Sequence, residues 1–127
     1  MPFNLQKEIS KLKQCCAALS IIPAPRVAIV SIAHQALFLL EDFEERMRFD
    51  ISTSKNPPNC KADSFGTPLG LHAIADKIGA DAELGTIFKG RVPQGNYHDY
   101  SAEALAASGN LITTRILRLK GLEDGLN

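Results

Sequence analysis

Two short apolar runs, Val27-Ala28-Ile29-Val30-Ser31-Ile32 and Ala36-Leu37-Phe38-Leu39-Leu40, are separated only by Ala33-His34-Gln35. No other feature restricts the fold as much. Each run is rich in β-branched or aliphatic residues and too short for a stable helix, so each predicts a strand. A connection this tight leaves them no arrangement but an antiparallel hairpin. Glu41-Asp42-Phe43-Glu44-Glu45 then reads as an acidic turn. Beyond it Met47, Phe49 and Ile51 alternate with Arg46, Arg48, Asp50 and Ser52, the period of a strand with one wet face.

The segment before the hairpin follows a different period. Leu5, Ile9, Leu12, Cys16 and Leu19 recur at spacings of three and four, while Gln6, Lys7, Glu8, Lys11 and Lys13 fill the other face. Asn4 is the expected N-cap, and the helix should run to about Leu19 and stop before Pro23 and Pro25. Gln14 to Ile22 could be taken for the core of a signal peptide, but such a core is apolar all round and this stretch belongs to an amphipathic helix. No segment approaches the ~20 apolar residues that span a bilayer. The expectation is a soluble chain without a clear signal peptide, divided into an N-terminal helix and Pro-containing linker, residues 1–24, and a β domain, residues 25–127.

Downstream, Lys55 to Gly66 reads as a loop and Gly66-Thr67-Pro68-Leu69-Gly70 as a turn, followed by a strand-like Leu71 to Ala75. Ala73 to Lys77 fits either strand or helix. Gly85 to Gly90 is a further strand candidate, Arg91 to Tyr100 looks irregular, and Ser101 to Ala107 looks like a short helix capped by Ser101 and stopped at Gly109. Leu111 to Leu119 predicts one strand, apolar on both faces and therefore inside a sheet.

Fourteen basic residues balance fourteen acidic ones and are dispersed along the chain. That distribution argues against nucleic acid as a partner. Three cysteines, two of them adjacent, do not make a disulfide framework; Cys15 and Cys16 are expected to pack as small hydrophobes. His34, His72 and His98 are far apart and none stands at zinc-ligand spacing from a cysteine, so no metal or other cofactor is expected.

Ser52-Thr53-Ser54-Lys55, then Ser64-Phe65-Gly66-Thr67-Pro68-Leu69-Gly70-Leu71-His72, then Gly85-Thr86-Ile87-Phe88-Lys89-Gly90-Arg91 together resemble the YkuD-type L,D-transpeptidases of bacterial cell walls. Ile112 to Leu119 followed by Gly121 to Asn127 resembles the strand and turn that lead toward that family's active site. The likeness covers roughly Arg26 to Asn127. It implies a mainly β fold, here a partial L,D-transpeptidase-like β-sandwich with an N-terminal α-helix. It also implies acyl transfer between peptidoglycan stem peptides through a Cys thioester, at the cell envelope. The family's His and Cys segments, of Ile-His-Gly and Ser-x-Gly-Cys type, match nothing in residues 1–127. No catalytic residue is therefore assigned, and the chain is expected to be truncated before the active site. The alternative is a noncatalytic β module that binds wall peptides or a protein. Exposed sheet edges would also favour self-association.

Some residues invite sharper roles. Cys60, beside Lys61, would make a nucleophile if its thiol were acidified; an exposed loop thiol is the plainer account. His72 could serve as a base, against an ordinary strand histidine, while His34 and His98 read as surface residues. Lys89 and Arg91 could hold a stem-peptide carboxylate, against a solvated strand end. Glu41, Asp42, Glu44 and Glu45 lack Ca²⁺-loop spacing and read as a solvated hairpin tip. The glycines from Gly66 to Gly70 are interrupted by Pro68 and make no phosphate loop.

Overall fold

A computed structural model describes residues 3–89, 91–107 and 112–127. The chain divides into two compact units, Met1–Leu71 with Gly121–Asn127, and His72–Lys120.

The first unit begins with helix α1, Leu5–Ala18, where the Asn4 side-chain oxygen accepts the Lys7 N–H at 3.1 Å. One of the first-turn N–H groups that a helix leaves unpaired is satisfied in this way. Asn4→Ala should cost about 1 kcal/mol of stability, read as a lower urea midpoint with an unchanged slope. Ile9 and Cys16 are the residues of this helix that become buried, two turns apart on the apolar stripe.

Strands β1 (Arg26–Ser31), β2 (Ala36–Glu41) and β3 (Glu44–Asp50) form the antiparallel meander expected from the apolar runs. Asp42 and Phe43 make the second turn with φ of 51° and 65°. Positive φ at both central residues is what the right-handed twist of a two-residue hairpin demands. The Phe43 ring offsets the strain of that conformation by packing against the core, with the Lys13 ammonium 4.5 Å from its centre.

Strict alternation along β2 decides where the core lies. Ala36, Phe38 and Leu40 are buried with Ile9, and Phe3, Leu5, Val27 and Ile29 pack around them. On the opposite face Val30, Met47 and Phe49 are exposed, with Leu37 and Leu39 between them. The period-two pattern of β3 is therefore present, but its apolar residues lie on the face away from the core. β3, one of the two edge strands of this sheet, is exposed throughout.

In the second unit β4 (His72–Ile78) pairs with β8 (Ile116–Gly121), so the open choice over Ala73 to Lys77 falls to strand. The other sheet is β6-β5-β7, with β5 (Thr86–Lys89) in the centre between β6 (Val92–Asn96) and β7 (Ile112–Thr113). Thr86, Ile87 and Phe88 are buried there. The irregular stretch expected from Arg91 contains β6. Its Pro93 and Gly95 are tolerated because β6 is an edge strand with a register shift against β5. A 3-10 turn, Tyr97–Asp99, and helix α2, Ala102–Ala107, follow, and the Ser101 hydroxyl accepts the Ala104 N–H at 3.1 Å as its cap.

The single strand expected over Leu111 to Leu119 is two strands. Thr114, at φ 68°, breaks it, and its N–H donates to the Thr86 carbonyl at 2.7 Å. Leu117 and Leu119, expected inside a sheet, are 54% and 57% exposed, because β8 has β4 as its sole strand neighbour among the described residues. The expected stop at Gly109, the start at Leu111 and the Gly90 end of β5 lie outside the described residues. The fold is thus an N-terminal helix with open antiparallel sheets.

Candidate functional site

The irregular segment from Ile51 to Leu71 has no sheet to satisfy its backbone, and short polar side chains take over that task. Gln35 begins the series. Its amide N–H₂ donates to the Ile32 carbonyl at 2.7 Å and to Thr53 Oγ1 at 2.9 Å, and its oxygen accepts the Thr53 N–H at 2.9 Å. Next, the Ser54 N–H donates to Thr67 Oγ1 at 3.0 Å and the Ser54 hydroxyl to the Phe65 carbonyl. The Asn56 amide reaches the Ser64 carbonyl at 3.2 Å, and the Asn59 N–H donates to the Thr67 carbonyl at 3.1 Å.

Cys60 takes part in the same work. Its sulfur accepts the Leu69 N–H at 3.2 Å and lies 3.6 Å from the Leu69 carbonyl oxygen. The thiol expected to be exposed is half-buried and clamps the loop across nine residues. No histidine stands among its hydrogen-bond partners in the described residues.

The turn Gly121–Asn127 closes the cluster. The Asn127 side-chain N–H₂ donates to the carbonyls of Leu69 at 2.9 Å and Leu71 at 3.1 Å, while its oxygen accepts the Glu123 N–H at 2.9 Å. Glu123 Oε1 accepts the Leu71 N–H at 3.2 Å. Between those anchors Gly70 has φ 94°, and a Cβ there would stand 2.7 Å from Asn127 Nδ2 and 2.8 Å from Leu126 Cδ2. The left-handed backbone and the close approach both require glycine.

Glu123 also holds the first helix. Cys15 Sγ donates to Glu123 Oε1 at 2.9 Å. That hydrogen bond, then burial, then the carboxylate's charge and the adjacent Cys16 push the Cys15 thiol from 9.0 up to about 11. Cys16 packs as a buried small hydrophobe, as expected, whereas Cys15 is a hydrogen-bond donor to a carboxylate. A thiol held protonated in this way is a poor nucleophile.

The remaining candidates lie apart. His34, on the β1–β2 loop, pairs through Nδ1 with Ser31 Oγ at 3.0 Å, and the same oxygen accepts the His34 N–H at 3.2 Å. His72 opens β4 and His98 sits in the 3-10 turn, where its N–H donates to Asn96 Oδ1 at 3.0 Å. Lys89 ends β5 and Arg91 follows with φ 67°. Asp42 lies at a hairpin tip, and no group of three His, Cys, Asp or Glu among the described residues could hold a metal ion. No helix among them is long and apolar enough to cross a membrane.

The reading from sequence missed Gln35, Glu123 and Asn127. The signal available for the last two was a carboxylate and an amide in the segment Gly121–Asn127, where Gly121 and Gly125 mark a turn. Comparison with family models, with curated proteins and with solved structures gives no match to this chain.

Proposed function

We propose that this chain supplies the substrate-side framework of a YkuD-type L,D-transpeptidase domain, whose open sheets belong to the family's β-sandwich. In this reading its ligands are peptidoglycan stem peptides and its place is the cell envelope. One observation carries it: three blocks of the resemblance, Ser52–Lys55, Ser64–Leu71 and Gly121–Asn127, are joined by side-chain hydrogen bonds into one cluster in the first unit. A stretch without regular structure that is held this firmly is a suitable floor for an extended substrate.

Residues 1–127 frame the substrate in this reading and do no chemistry. Acyl transfer to a thiol needs a thiolate and an imidazole to generate it. Cys15 donates to a carboxylate, Cys16 is buried, and Cys60 is engaged with Leu69.

The test is titration of the labelled chain with a disaccharide-tetrapeptide, with mass spectrometry of the mixture alongside. The expected result is saturable amide shifts confined to residues 52–55 and 64–71, without turnover or a thioester adduct. Unchanged amides would refute the framework role. A thioester lost in Cys60→Ala would make Cys60 the nucleophile and overturn the division of labour.

A second reading, a noncatalytic module that takes a peptide strand, rests on β1. It is an edge strand with one charged residue, Arg26, whereas the opposite edge, β3, carries five. The coding sequence beyond codon 127 separates the two readings. In-frame Ile-His-Gly and Ser-x-Gly-Cys segments belong to the enzyme, and their absence to the binding module.

A further inference from the structure

A β-bulge in β3 sets up a second candidate site, distinct from the cluster above. Leu39 lies opposite Met47 but Leu40 lies opposite Glu45, so Arg46 is an extra residue on β3. Glu45 and Arg48 are three apart, a spacing that puts side chains on opposite faces of a regular strand. The bulge cancels the odd step. Arg48 lies opposite Phe38 and Glu45 opposite Leu40, so both stand on the face that carries the core residues. Bulges that re-aim a side chain in this way concentrate beside functional sites.

The place they reach is a cavity of about 380 Å³ lined by Phe3, Leu5, His34, Phe38, Glu45 and Arg48. That volume falls in the usual range for small-ligand pockets. Its floor is aromatic: Phe3 stacks on Phe38 with ring centres 4.8 Å apart and planes 14° from parallel, and His34 lies 5.3 Å from Phe3. The Arg48 guanidinium carbon is 5.2 Å from the centre of the Phe38 ring. Among the described residues, neither Arg48 nor Glu45 has an ion-pair partner within 4.0 Å, in contrast to the neighbouring pair Arg46–Glu44 at 3.7 Å.

A planar donor and a carboxylate without ion-pair partners among the described residues, with an apolar floor between them, define the complementary ligand. We propose that this cavity binds a short zwitterionic peptide: its carboxylate on the Arg48 fork, its ammonium on Glu45, and an apolar side chain against the Phe3 ring. Arg48 and Glu45 sit opposite residues two steps apart on β2, roughly 7 Å along the strand. A dipeptide separates its charged ends by a comparable distance, which a single amino acid does not.

The experiment is an NMR titration of the full chain with alanyl-phenylalanine, read at the Arg48 side-chain N–H, the His34 ring and the Phe3 ring. Saturable shifts at those groups are expected. N-acetylation or C-amidation of the dipeptide should each weaken binding about tenfold, as loss of one charge-assisted hydrogen bond does. Glu45→Gln should abolish the difference between free and acetylated dipeptide but leave the amide effect, and Arg48→Gln should do the converse. Both positions are exposed on an edge strand, so an unchanged thermal transition is expected in each variant. Equal affinity for free and capped dipeptides would overturn the proposal. Sensitivity to one cap alone, or no saturation by about 20 mM, a limit that leaves less than about 2.3 kcal/mol of binding, would overturn it too.

Discussion

Leu40→Ala should lower the unfolding free energy of the first unit by about 2–5 kcal/mol, the largest stability loss expected from one truncation in this chain. Leu40 is 0% exposed and is the one large side chain fully buried among the described residues. Its neighbours cannot readily collapse into the gap. Ile9 approaches from α1, Ala36 and Phe38 are fixed by the pleat of β2, and Val27 lies opposite on β1. The loss therefore combines the transfer free energy of the deleted methyl groups with that of a retained cavity. Against a total stability of about 5–15 kcal/mol for an ordinary domain, this is a large fraction. Met47→Ala is the control. Met47 shares the sheet but is 52% exposed on its other face, and its truncation should cost about 0.5 kcal/mol. Urea denaturation of both variants, followed by far-ultraviolet circular dichroism, checks the contrast. A Leu40 variant no less stable than the Met47 variant would mean that α1 does not cover this face.

The hairpins were legible in the sequence because local signals agreed there. Apolar runs, short connections and the pleat period all specify the meander of β1, β2 and β3. Asn4 and Ser101 were readable for the same reason, since a cap is a contact between residues three apart. Which face of the sheet takes the helix was not legible. Val27, Ile29, Phe38 and Leu40 on one side and Val30, Leu37, Met47 and Phe49 on the other are about equally apolar, so the choice rests on contacts with α1. Nor does composition announce the bulge at Arg46, because its sequence cost is a single extra residue. The strand over Leu111 to Leu119 failed at Thr114. A β-branched residue at φ 68° contradicts its own propensity and is held by a bond to Thr86, 28 positions earlier. The candidate site divides in the same way: Ser54, Thr67 and Gly70 were visible in their blocks, whereas Glu123 and Asn127 act on residues more than fifty positions away.

Glu123→Gln should bring the Cys15 thiol down from about 11, because the hydrogen bond to a carboxylate and its charge are lost while burial and the adjacent Cys16 remain, and each unit of that fall raises the thiolate fraction near neutral pH about tenfold. The substitution is conservative in shape. Glutamine keeps an oxygen that can accept the Leu71 N–H, so the clamp on Leu71 survives while the charge facing Cys15 disappears. Site-resolved alkylation by iodoacetamide between pH 7 and 11, quantified by peptide mapping, reads Cys15 apart from Cys16 and Cys60. Cys15 should react more slowly than Cys60, which is likewise half-buried, in the parent chain and accelerate in the variant. The same proton has a consequence for stability. The folded chain binds it more tightly than the unfolded chain does, so the contribution is complete below pH 9.0 and is lost as pH rises to about 11. The parent chain should therefore lose stability across that window, and the variant should lose less. If Cys15 alkylates at the same rate in both, the carboxylate does not hold the thiol proton, and the link between α1 and the Gly121–Asn127 turn is not an acid–thiol hydrogen bond.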